Sequence, residues 1–196
     1  MKHVTPLAVG HLIEILRLQV ETNELYDPQW RSNNTLIQFK IAANNEYTEM
    51  ADEIETVWKW YTPNPTWEPE KALFELVDIV HFSASCILLP RSEGVEDTLK
   101  TIQLQDKVFV TNDLLNEAYD WWLNFNQSVE THMLLAHPCE CLCYFVGAML
   151  ELLGFTQEQY MQAHYKKNAR NRLRATGGVI QGNYDKSTET ELTLGA

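Results

Sequence analysis

Two pairs of acidic residues have the types and the spacing that could hold a metal ion. Glu75 and Asp78 are three positions apart, and so are Glu46 and Glu49, so each pair lies on one face of a helix. Carboxylate oxygens are the ligands that hard cations such as Mg²⁺ prefer, whereas zinc more often binds cysteine sulfur and histidine nitrogen. Paired ions suit phosphoryl chemistry, because they neutralise the charge of phosphate oxygens. The spacing therefore predicts a divalent-cation site.

The segment around Glu75 and Asp78 is apolar on nearly all sides, which predicts a buried helix. Two buried carboxylates repel each other and destabilise the fold unless a cation or a basic side chain neutralises them. The alternative to a metal is therefore a structural ion pair with a lysine or arginine. For Glu46 and Glu49, the alternative is an ordinary solvated helix face.

Helical periodicity is frequent along the chain and strand signals are nearly absent, which predicts an all-α bundle with about six main helices. The expected helices cover residues 7–21, 35–60, 66–89, 112–130, 138–153 and 156–175. Pro63 and Pro65 are expected to end the second helix, and Gly154 the fifth. Thr156 and Gln159 resemble a capping box at the start of the last helix.

The length of 196 residues predicts one domain, residues 1–186, followed by a polar tail, 187–196, that we expect to be disordered. The net charge is −12, so we expect the protein to lack the basic surface of a nucleic-acid-binding protein. The most apolar stretch, residues 141–155, is too short to span a bilayer, so we expect no membrane partner.

Three of the four cysteines crowd into residues 139–143, which is poor geometry for bridging one another. We expect them to be reduced and the protein to be cytoplasmic, in a bacterium or a phage-infected cell. A zinc site with His137 is the alternative, but the spacing lacks the usual paired-ligand pattern.

Four blocks of sequence, in order, resemble one known family. They are Gln19–Asn23 followed by Trp30, Trp58–Trp60, Phe74–Phe82, and Lys167 to Tyr184. They are similar to the all-α nucleoside triphosphate pyrophosphatases of the MazG-like superfamily, and most similar to its dimeric dUTPases, which include related phage enzymes acting on dCTP. The resemblance implies a helical homodimer that uses two or three Mg²⁺ ions to cleave dUTP between its α- and β-phosphates, giving dUMP and pyrophosphate.

The resemblance also implies roles for particular residues. The implied metal ligands are Glu46, Glu49, Glu75 and Asp78, and the catalytic candidates among them are Glu49 and Glu46. The implied phosphate-binding residues are Lys59, Lys167, Asn171 and Arg174. The implied base-binding residues are Gln19 and Asn23. The last three phosphate-binding residues share one helical face, although basic helix faces are often simply solvated. Side-chain amides carry both donors and acceptors, which suits a pyrimidine edge, but they are also ordinary helix residues.

Two departures from the family pattern, Thr22 and Glu24, fall beside the expected base-binding residues. They leave dCTP or a modified pyrimidine triphosphate as alternative substrates. A non-enzymatic helical dimer with an incidental acidic groove is the alternative from another functional class.

Overall fold

The computed structural model of the protein describes residues 2–90, 109–130, 136–177, 185 and 189–195. Within these residues the α-helices are α1 (Val9–Tyr26), α2 (Trp30–Asn33), α3 (Leu36–Glu53), α4 (Pro69–Leu88), α5 (Leu114–Glu130), α6 (Ala136–Leu153) and α7 (Gln157–Thr176). A 3₁₀ turn, Glu55–Val57, follows α3. The predicted all-α class is confirmed, and the described part of the chain contains six long helices and the short α2.

Helices α4 and α6 form the centre of the bundle, because both are apolar on nearly every side. Helix α3 packs along α4 and α5 packs along α6, while α1 and α7 cover the remaining sides of α4. Helix α6 is long and apolar enough to cross a membrane, but 72% of it is buried inside the protein, as in a core helix. The acidic pair of α4 is therefore held between α3, α1 and α7.

The predicted junction between α6 and α7 is confirmed. Gly154 has a φ of 81°, the left-handed conformation that glycine adopts most easily after a helix. The amides of Gly154 and Phe155 both donate to the carbonyl of Leu150, at 2.9 and 3.0 Å. Thr156 and Gln159 then form the predicted capping box, in which each side chain pairs with the other residue's backbone amide.

The predicted connection between α3 and α4 was wrong in its boundaries. Helix α3 ends at Glu53, well before the two prolines, and α4 begins at Pro69 and not at Thr66. The backbone amide of Glu68 donates to the carbonyl of Glu53 at 2.8 Å, and that of Thr56 to the carbonyl of Thr66 at 3.2 Å. These contacts across the loop turn the chain back earlier than local periodicity indicates.

Two short strands, β1 (Lys2–Val4) and β2 (Phe109–Thr111), form an antiparallel pair that the sequence did not predict. The segment after β1 crosses α6 at Gly147, where a Cβ atom would overlap the carbonyl oxygen of Thr5. Only glycine allows this close approach between the N-terminal backbone and the helix.

The four cysteines, all within the described residues, are buried and form no disulfide. Burial raises the pKa of the Cys86 and Cys141 thiols to about 12, so both are protonated at neutral pH. Among the described residues, the one group of side chains placed to hold a metal ion together is Glu46, Glu75 and Asp78, and it includes none of these cysteines.

Candidate active site

A cavity of about 710 Å³ lies between α1, α3, α4 and α7. Nine of the ten residues that the sequence singled out line it: Gln19, Asn23, Glu46, Glu49, Glu75, Asp78, Lys167, Asn171 and Arg174. The tenth, Lys59, is not among the residues lining this cavity. The fold thus brings acidic, basic and amide side chains from four helices to one space.

Three carboxylates form a cluster at this cavity, which we call the acidic cluster. Glu46 comes from α3, and Glu75 and Asp78 come from one face of α4. One oxygen from each lies within 4.8 Å of the other two, which is close enough for a single cation to contact all three. Glu49, one turn along α3, lines the same cavity but lies outside the cluster, and its carboxylate accepts a 2.6 Å hydrogen bond from Asn45.

The members of the acidic cluster perturb one another. Burial, then the negative charges of Asp78, Glu49 and Glu75, raises the pKa of Glu46 from 4.5 to about 7. Burial raises the pKa of Glu75 as well, although Lys167 opposes that shift. Such an accumulation of negative charge is typical of a binding site, because a bound cation or ligand there reduces the repulsion between the carboxylates.

Asp78 differs from its neighbours because it has two partners. Burial alone would raise its pKa, but a hydrogen bond from His81 and the charge of Lys167 outweigh burial and lower it. The Lys167 ammonium contacts Asp78 and lies 3.8 Å from an oxygen of Glu75. The ion pair expected as the alternative to a metal is therefore present. The single Lys167 ammonium does not neutralise three carboxylates. The oxygen atoms of the acidic cluster therefore still fit a metal cation that prefers oxygen ligands.

His81 lies behind Asp78 and is held by a second histidine. Its Nδ1 is 3.5 Å from Asp78 Oδ1, and its Nε2 is 3.1 Å from Nδ1 of His164 on α7. Burial, followed by the proximity of His81, lowers the pKa of His164 to about 2, so this ring is neutral. A neutral His164 can hold the His81 ring in place, which in turn orients the Asp78 carboxylate.

Helix α7 supplies the basic side of the cavity. Lys167, Asn171 and Arg174 line it at the predicted spacing, and the Asn171 amide accepts a 3.2 Å hydrogen bond from Arg174. Arg174 also forms a bidentate ion pair with Glu189, at 2.6 and 2.5 Å. Arg170 lies 3.6 Å from the same Glu189 carboxylate, so two guanidinium groups meet at this end of the cavity.

Helix α1 supplies the amide side. Gln19 and Asn23 are 6% and 9% exposed, and the Gln19 amide donates to Asn23 Oδ1 at 2.8 Å. Between them in sequence, Thr22 accepts a 2.9 Å hydrogen bond from Asn168 on α7. Thr22, where the sequence departs from the family pattern, therefore makes a buried polar contact that ties α1 to α7.

A sequence model of a dUTPase family matches residues 11–178, most of the chain. The chain belongs to this all-α dUTPase family. No curated protein matches the chain. Membership makes the protein a nucleoside triphosphate pyrophosphatase, and dUTP hydrolysis is the general activity of this family. Such enzymes typically use a divalent metal, and the acidic cluster offers ligands for one. The family match thus favours an enzyme over the non-enzymatic alternative.

The position of Lys59 differs from that of the other implied phosphate-binding residues. Its ammonium pairs with Glu55 and lies 5.3 Å from the centre of the Trp58 ring. These contacts hold it in the loop after α3, outside the cavity-lining set. Its role in phosphate binding stays a prediction.

Arg170 and Glu189 are charged residues that line the cavity and that the sequence analysis did not single out. Arg170 lies three residues after Lys167 and four before Arg174, so helical spacing could have identified it. Glu189 belongs to the tail that we expected to be disordered, and no local pattern indicates its contact with α7. Further along this tail, the Thr193 carbonyl accepts a 2.6 Å hydrogen bond from Lys166.

Proposed function

We propose that the enzyme hydrolyses dUTP to dUMP and pyrophosphate with Mg²⁺. The observation that carries the proposal is the acidic cluster, which faces a basic helix across one cavity and has a pair of amides at its side. A metal-dependent triphosphate hydrolase needs these three parts: ligands for a cation, groups that bind phosphate, and groups that recognise a base.

The donors of the acidic cluster fit Mg²⁺ better than a transition metal. All three are carboxylates, and oxygen donors suit small hard cations. Glu46, Glu75 and Asp78 would hold the ion, with Glu49 available at the edge for a second one. When bound, Mg²⁺ would supply Lewis-acid neutralisation of the triphosphate oxygens.

In the proposed reaction, the oxygen of a water molecule forms a bond to the α-phosphorus and the bridging bond to the β-phosphate breaks. The products are dUMP and pyrophosphate. Glu49 accepts the proton of the attacking water, because its carboxylate lies beside the acidic cluster without belonging to it. The hydrogen bond from Asn45 orients this carboxylate.

The basic face of α7 would bind the phosphates. Arg174 offers a planar pair of donors that matches phosphate oxygens, and Lys167 offers a point charge between the acids and the substrate. Asn171 adds an uncharged donor on the same face. At the far side, Gln19 and Asn23 would contact the edge of the base.

The active form proposed here is a homodimer. Several large apolar side chains are exposed in a single chain: Ile37 (57%), Ile41 (63%), Trp60 (91%) and Tyr61 (60%). Apolar surface of this kind commonly lies in an interface between subunits. The buried, reduced cysteines suit a cytoplasmic location. Sedimentation showing that a fully active protein is monomeric at assay concentrations would remove the dimer from the proposal.

The experiment that tests the function is pyrophosphate release from dUTP, dCTP, dTTP and dATP, with Mg²⁺ and with EDTA. We expect the highest kcat/KM for dUTP and no release in EDTA. A dCTP value well above the dUTP value would show that the base is cytosine and leave the reaction type standing. Equal release in EDTA would remove the metal from the proposal.

A further inference from the structure

A buried hydrogen-bond cluster joins the amides of α1 to a serine of α4. The Asn23 amide nitrogen lies 3.0 Å from the Ser85 hydroxyl oxygen, and that of Gln19 lies 3.3 Å from it. Ser85 is 0% exposed and is not among the residues lining the cavity, whereas both amides line it. Ser85 therefore can act on a bound nucleotide only through Gln19 and Asn23.

The proton of the Ser85 hydroxyl is already used. Its oxygen lies 3.1 Å from the backbone carbonyl of His81, one turn earlier on α4, to which it donates. A hydroxyl has one proton, so toward the amides Ser85 can only accept hydrogen bonds. The NH₂ groups of Gln19 and Asn23 must therefore both face Ser85, and neither amide can turn its oxygen toward it.

This arrangement gives the amide pair a fixed polarity. The two protons of the Gln19 amide are directed to Asn23 Oδ1 and to Ser85, whereas the Asn23 amide keeps one proton beyond its bond to Ser85. Gln19 Oε1 is buried and has no hydrogen-bond partner among the residues that the structure describes. A buried acceptor without a partner is unfavourable, and a donor on a ligand would relieve it.

We propose that Ser85 determines base specificity by fixing the polarity of the Gln19 and Asn23 amides. The inference rests on the proposed function, in which these amides contact a pyrimidine. Uracil presents an N–H at position 3 beside a carbonyl oxygen at position 4, whereas cytosine presents a bare nitrogen beside an amino group. With uracil, the free acceptor Gln19 Oε1 would pair with the N–H at position 3, and the remaining Asn23 proton would pair with the oxygen at position 4. Cytosine in the same position would place its bare nitrogen against the acceptor and its amino group against the donor, which leaves buried polar groups unpaired.

The test compares kcat/KM for dUTP and for dCTP in the full-length enzyme and in Ser85→Ala. Without the hydroxyl, both amides can flip, so we expect the ratio of the two values to fall by about tenfold or more. A defect that was only structural would lower both values by the same factor and leave their ratio unchanged. The ratio therefore distinguishes a positioning role from general damage to the fold.

Ser83→Ala is the matched control. Ser83 lies on the same helix, is also 0% exposed, and its hydroxyl has no hydrogen-bond partner among the described residues. This variant removes the same atoms without touching the amide cluster, and its ratio should equal that of the wild type. Ser85→Cys keeps the shape of the side chain, with a slightly larger atom, but replaces the hydroxyl oxygen with a much weaker hydrogen-bond acceptor. Ser85→Cys should also lower the dUTP-to-dCTP ratio, and it replaces Ser85→Ala in the test if the alanine variant does not fold.

The outcomes separate the two levels of the proposal. An unchanged dUTP-to-dCTP ratio in folded Ser85→Ala or Ser85→Cys would overturn the role of Ser85 while leaving the proposed function intact. Equal use of both substrates by the wild type would also overturn it, because a fixed polarity must discriminate. A wild-type enzyme that hydrolyses no pyrimidine triphosphate would instead overturn the proposed function.

Discussion

Replacing Glu46 with glutamine is expected to stabilise the metal-free protein at pH 8 and to leave it nearly unchanged at pH 5. In the folded state the pKa of Glu46 is raised from 4.5 to about 7 by burial and by the neighbouring carboxylates. The folded state therefore binds the Glu46 proton more tightly than the unfolded state does. Stability from this site is present below pH 4.5 and is lost as the pH rises to 7.

The magnitude follows from the two pKa values. Each unit of difference corresponds to 1.36 kcal/mol, so the full cost of ionising Glu46 above pH 7 is about 3 kcal/mol. Glu46 is partly exposed, and solvent screens part of this repulsion. We therefore expect Glu46→Gln to raise the free energy of unfolding by about 1 to 3 kcal/mol at pH 8, and by less than about 1 kcal/mol at pH 5.

Urea unfolding followed by tryptophan fluorescence, in EDTA at both pH values, measures this difference. Asp52→Asn is the matched control, because it removes one negative charge from the same helix at an exposed position outside the cavity. Equal gains for Glu46→Gln at pH 5 and pH 8, or a gain no larger than that of Asp52→Asn, would refute the reasoning.

Added Mg²⁺ should reverse the order of stability of the two proteins. An ion that binds only the folded state stabilises it by about 2.7 kcal/mol at a hundred times its Kd. We expect this gain in the wild type and a smaller one in Glu46→Gln, which lacks one ligand. An identical response of both proteins to Mg²⁺ would show that Glu46 does not bind the metal.

Other predictions concern the cavity and the packing of the bundle. Glu75→Gln and Asp78→Asn should each lower kcat by about 100-fold without unfolding the protein; near-normal Mg²⁺-dependent activity in both would contradict the metal site. Glu189→Gln should lower KM for the triphosphate by about two- to fivefold, because its carboxylate competes for the guanidinium groups of α7; an unchanged KM would exclude this competition. Gly147→Ala should lower the free energy of unfolding by about 1 to 3 kcal/mol in thermal melts, whereas Gly10→Ala, which has open space around it, should not destabilise the protein.

The sequence determined the parts of the site that depend on local periodicity. Glu75 and Asp78 share a face of α4, and Lys167 and Arg174 share a face of α7, because a helix repeats every 3.6 residues. The apolar sequence around the acidic pair indicated burial, and Glu75 and Asp78 are indeed mostly enclosed, at 23% and 17% side-chain exposure. The resemblance to the family also came from local motifs, and the family match supports it.

Only the tertiary structure decided which of these local faces meet. The contact of Lys167 with Asp78 joins residues 89 positions apart, and the bond of Asn23 to Ser85 joins residues 62 apart. Such pairs depend on how whole helices pack, which no local pattern records. The same reason explains why α3 ends at Glu53, where contacts from the returning chain outweigh local helical periodicity.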